Sequence, residues 1–115
     1  MSSNLDHAAK EKLFAYLVAS ELAAWIRTGA WLRTDHLIES TYIWLRANRL
    51  AGDWQDRVSV ARAAADGAPT ILASVHVTTE AEIALLFAEG GMLDYRSPVV
   101  RRIHEACARY LRGAP

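Results

Sequence analysis

The chain has 115 residues, and its 13 Lys+Arg balance 13 Asp+Glu, so the formal net charge is zero. Apolar residues make up 52% and charged residues 23%, a globular composition that excludes a disordered or collagen-like chain. The charge balance removes any general attraction to nucleic acid or anionic membrane, and the single cysteine, Cys107, excludes an intrachain disulfide and a thiolate-rich zinc site.

Five helices are expected. Asn4 and Asp6 offer caps for a first helix that runs through Trp25 to Thr28, where Gly29 supplies a stop. Thr34 or Asp35 starts a second helix ending near Leu50, with Gly52 just beyond. Asp53 is placed to cap a third, Trp54 to Asp66, closed by Gly67. From Thr70 to Thr78 the residues turn β-branched, and Ile71, Ala73, Val75 and Val77 alternate with the others; this predicts a strand, with a helix starting at Pro69 as the rival. A lone strand needs a partner, either residues 92–96 or the same strand of a second copy. Thr79 and Glu82 form a capping box that opens a fourth helix, ending at Gly90-Gly91. Ser97 followed by Pro98 opens the fifth, which runs to Arg112. The fold class read here is mainly α: one five-helix domain over residues 1–115, with a short β segment at about 70–78 between the third and fourth helices.

Helical periodicity then separates surface helices from buried ones. The fifth is cleanly two-faced, with Val99, Val100, Ile103, Ala106, Cys107, Tyr110 and Leu111 opposite Arg101, Arg102, Glu105, Arg109 and Arg112. The third carries a narrow strip (Trp54, Val58, Ala61, Ala65) and looks peripheral. The first, second and fourth are apolar around most of their circumference. A domain this small surrounds one such helix, not three, so the surplus predicts a contact with another chain, most economically a homodimer. Trp31, on the link between the first two helices, is the candidate interface anchor, because tryptophan is enriched at interface centres.

Candidate chemistry is sparse. Glu21 lies among Phe14, Leu17, Val18 and Trp25, where a carboxylate has a raised pKa or a basic partner such as Arg46. His36 and Glu39 are one turn apart, as are His104 and Cys107, but no spacing of a known metal site appears, and no metal or other cofactor is expected. No nucleophile elbow or phosphate-binding glycine loop is present. The arginines Arg101, Arg102, Arg109 and Arg112 offer a basic face for an acidic protein partner, while the acidic stretch at 78–95 favours packing of the fourth helix near the fifth. A helix-turn-helix reading of the second and third helices would place Asp53 and Asp56 where phosphates approach, which disfavours nucleic acid.

Residues 1–12 contain Asp6 and Glu11 and lack the basic start and cleavage site of a signal peptide. Leu13 to Ile26 is shorter than the roughly 20 apolar residues that cross a bilayer. The expectation is a cytoplasmic interaction protein that partners itself: a regulator, inhibitor or accessory subunit. The alternatives are a small enzyme or ligand-binding dimer with an apolar inter-subunit pocket and Glu21 as its acid or base (His36 and Glu39 being weaker catalytic candidates), and a nucleic-acid binder using the last helix.

Overall fold

A computed structural model of the chain describes residues 6–50, 54–76 and 80–113. Among these are five helices: α1 (His7–Thr28), α2 (Thr34–Ala47), α3 (Trp54–Val75), the single turn and a half of α4 (Glu80–Ala84), and α5 (Pro98–Leu111). The described helices share one apolar core.

α1 begins where the Asp6 carboxylate accepts the Ala9 N–H at 2.7 Å. It ends at Gly29, whose φ of 74° lets its N–H donate to the Trp25 carbonyl, a left-handed cap that glycine adopts without a Cβ penalty. Between these caps, Leu13, Phe14, Ala15, Leu17, Val18, Ala19, Glu21, Leu22 and Ala23 are all buried. α3 and α5 pack along α1, and α2 packs chiefly on α3. α1 is therefore the one surrounded helix that a chain of this size accommodates.

α2 stops at Ala47 rather than near Leu50. Its end is a Schellman motif: Leu50 N–H donates to the Leu45 carbonyl and Arg49 N–H to the Arg46 carbonyl, with Arg49 at φ 57° in the left-handed position. The helix is not apolar all round in its burial. Leu37, Thr41, Trp44 and Leu45 face inward, whereas Ile43 and Leu50 remain 51% and 37% exposed.

The largest departure from expectation lies in α3. No strand covers the described residues of 70–78: the helix continues through Gly67 and Pro69 to Val75, and residues 77–79 lie outside the described residues, Thr79 of the capping box among them. The alternation that suggested a strand is also a helical stripe, since Val60, Ala61, Ala64, Ala68, Ile71 and Val75 recur at three- and four-residue intervals and are all buried. The helix is accordingly central rather than peripheral. Gly67 is no stop; a Cβ there would lie 2.9 Å from the Tyr110 ring, so this glycine lets α5 approach closely. Pro69 withholds the amide that would bond to the Ala65 carbonyl, and the helix tolerates it because tertiary packing fixes both flanks.

The fourth helix is also shorter than expected. After Ala84 the chain forms a tight reverse turn with a single antiparallel bridge between Phe87 and Leu93, closed by Ala88 N–H to the Met92 carbonyl at 2.7 Å and Asp94 N–H to the Leu86 carbonyl at 2.9 Å. Gly90 and Gly91, at φ 97° and 87°, make this turn rather than end a helix. Ile83 and Leu86 are buried while Leu85 is 55% exposed. α5 matches its two-faced reading, with Val99, Val100, Ile103, Ala106 and Cys107 inward. No described helix is long and apolar enough to cross a membrane.

Candidate functional site

Gly29 reverses the chain, so the link between α1 and α2 folds back along the last turns of α1. Two polar groups fix it there. The Thr28 hydroxyl donates to the Ala24 carbonyl and accepts the Ala30 N–H. Two helical turns deeper, the Glu21 carboxylate accepts the Leu32 N–H at 2.9 Å. Glu21 is only 1% exposed. Burial pushes its carboxyl above the ordinary carboxylate range, and the Leu32 amide partly offsets that. Arg46 does not pair with it; that guanidinium lies 5.5 Å over the Tyr42 ring. Glu21 therefore serves as the latch of the link.

The latch sets the place of Trp31. Its indole stacks on Trp25, with centroids 5.5 Å apart and planes inclined by 16°. This offset-stacked pair is not core, since Trp25 and Trp31 remain 43% and 41% exposed. Together they rim an open cleft of about 300 Å³. Leu22 lines it from α1, Pro69, Leu72 and Ala73 line it from the C-terminal half of α3, and His76 lines it from just beyond that helix. An apolar cleft beside large half-exposed aromatics is the surface physics of a binding site. Glu21 does not line this cleft, and an acid held on a backbone amide is poorly placed to transfer protons there.

The other candidates separate. His36 and Glu39 are both exposed on α2. His104 does not join Cys107; its Nδ1 lies 2.8 Å from the Tyr95 hydroxyl and its Nε2 3.7 Å from Glu11. Burial pushes the Cys107 thiol up to about 12, which leaves it an inert apolar group. Among the described residues no three His, Cys, Asp or Glu side chains converge on a possible ion. Of the four arginines on and just after α5, Arg102 pairs with Glu82 at 3.0 Å, Arg109 with Glu105 at 3.4 Å and Arg112 with Glu11 at 3.9 Å. The basic face thus carries its own counter-charges, and the Glu82 pair ties the α4 segment to α5 as the charge pattern suggested. Tyr42 is held between α2 and α3 by two cations, Arg46 and Arg57, the latter 5.6 Å from the ring.

Spacing and composition single out Trp31 and Glu21 but not the cleft between the indole pair and α3. They miss Trp25 as the stacking partner, for which the signal was two tryptophans flanking a helix-ending glycine. They do not bring Pro69, Leu72 and His76 to the cleft, because a strand at 70–78 would have carried Leu72 and His76 elsewhere. No family model, no curated protein and no solved structure matches this chain.

Proposed function

We propose that this protein acts by binding rather than by chemistry, and that its first partner is a second copy of itself, joined through the Trp25–Trp31 cleft. The observation that carries this reading is the stacked, half-exposed pair of indoles beside an apolar cleft. Such a patch holds both a knob and a hole, and a two-fold contact requires that self-complementarity. The zero net charge removes repulsion between copies. The outward arginines, largely paired within the chain, contribute orientation more than affinity to a further acidic partner. A regulator or accessory subunit of the cytoplasm, where a lone buried thiol such as Cys107 stays reduced, fits these features.

Light scattering on the purified chain and on Trp31→Ala at matched micromolar concentration tests the proposal. The expected result is a two-chain mass for the parent and a one-chain mass for the variant, with the same helical circular dichroism. Equal masses for the two proteins would overturn it.

A further inference from the structure

A second cleft lies at the opposite end of α1. It measures about 190 Å³ and is lined by Lys12, Trp44, Asn48, Met92, Leu93 and Tyr95, brought together by α1, the end of α2 and the segment before α5. At roughly 30 Å³ per water it holds about six waters, which suits a ligand far smaller than a drug. Its walls are an indole, a thioether, a leucine and a phenol ring. Its one cation, Lys12, sits 5.9 Å from the centroid of the Tyr95 ring.

Among the described residues, the charge of Lys12 is not spent on an ion pair: no carboxylate of theirs lies within ion-pair distance of it, and its neighbour Glu11 is turned to His104 and Arg112. The end of α2 does not consume it either, because the Trp44, Leu45 and Arg46 carbonyls already accept backbone amides from residues 48–50, and the Asn48 side-chain amide donates to Trp44 as well. The Tyr95 wall is rigid. Its hydroxyl bonds to His104 Nδ1 at 2.8 Å and its ring meets the imidazole edge-on at 5.4 Å, while Glu11 stands behind at Nε2. Burial, with Cys107 adding to it, pushes the Tyr95 phenol up to about 12, so no phenolate opposes an anion at neutral pH.

From this arrangement we infer that the Lys12–Tyr95 cleft binds a small apolar carboxylic acid, with the carboxylate on the Lys12 ammonium and the apolar body against Trp44, Met92, Leu93 and the Tyr95 ring. An ammonium at the mouth of a cleft with largely apolar walls selects an anion with an apolar tail over the neutral isostere, because only the anion adds a Coulomb attraction to the apolar contact. Tyr95, His104 and Glu11 are positioning residues.

The test is a titration of the full chain, labelled with nitrogen-15, with phenylacetate and with phenylacetamide as its neutral counterpart, followed by the Trp44 indole resonance. Phenylacetate is expected to shift this resonance saturably with a millimolar Kd, and phenylacetamide to bind about tenfold more weakly. Lys12→Met, a change at an exposed position, is expected to bring phenylacetate down to the level of the amide while leaving the remaining spectrum in place. Equal affinity for the two probes, no saturable shift up to about 20 mM, or an unchanged phenylacetate Kd in Lys12→Met would each overturn the inference.

Discussion

The interior around α1 and the cleft beside its end are both apolar, yet one is closed to water and the other is half open to it. The interior packs large side chains such as Leu13, Phe14, Leu17 and Ile103 between small ones, among them Ala15 and Ala19 on α1, Ala61, Ala64 and Ala68 on α3, and Ala106 and Cys107 on α5, all buried. Helices that meet through alanine and glycine approach closely, and such a seam leaves no room for a visitor. The cleft stacks two indoles half in water, one of them on α1 and the other on a link that a polar latch fixes. Apolar content alone therefore does not distinguish surface that a chain keeps for itself from surface it leaves to others. Exposure and the means of fixation do.

The comparison breaks first at the interior. Leu17→Ala, at a fully buried position, is expected to cost about 2–5 kcal/mol by lost transfer energy plus a cavity. Trp31→Ala should cost the folded single chain only about 1 kcal/mol, because its indole is already half hydrated. Urea melts at a concentration where the chain is not associated separate the two; similar losses would erase the distinction drawn here.

Pro69 belongs to both regions, since it interrupts α3 between buried Ala68 and Ile71 and also lines the cleft. Restoring the missing amide in Pro69→Ala is expected to stabilise the chain by about 1–3 kcal/mol, read as a raised melting temperature. A loss of stability would mean that the helix is shaped around the proline.

Glu21 gives a pH signature. Its native carboxyl binds a proton more tightly than in the unfolded chain. The stabilising contribution is therefore fully present below the unfolded pKa and is lost as pH rises through the raised native value. Glu21→Gln keeps an acceptor for the Leu32 amide but does not titrate, so its stability relative to the parent should increase from pH 4 toward neutrality. A difference that stays flat across that range in paired denaturant titrations would contradict the burial argument.

The smallest effect is expected where α3 meets α5. Gly67→Ala gains about 1 kcal/mol of helix propensity but displaces the Tyr110 ring, which stacks on Phe14 at 5.9 Å. The two terms nearly cancel, and the gain of about 1 kcal/mol should reappear when the substitution is made in a Tyr110→Ala background. Thermal melts of the four proteins of that cycle check it.

Local chemistry was readable from the chain wherever it is self-contained. Asp6 and Gly29 bound α1 as their residue types dictate, and the two faces of α5 follow from spacing alone. The misreadings at 67–75 and 90–91 have one physical cause: glycine and proline punctuate a chain unless tertiary contact requires them. Gly67 answers to Tyr110, 43 positions away, and Gly90-Gly91 serve a hairpin whose closing bridge lies between Phe87 and Leu93. Glu21 was recognisable as a buried acid, but its partner is a backbone amide, a donor that every residue except proline carries. The Glu11–His104–Tyr95 chain joins helices far apart in sequence, and no spacing rule announces it.

Sedimentation equilibrium of the unmodified protein, from about 1 to 100 µM, puts the self-association to its most direct trial. Twice the 12.7 kDa chain mass at the upper end is the predicted outcome, falling toward one chain on dilution if the association is weak. A single-chain mass throughout would mean that the Trp25–Trp31 cleft stands open to water in the native protein, and the account of it as an interface between copies would be wrong.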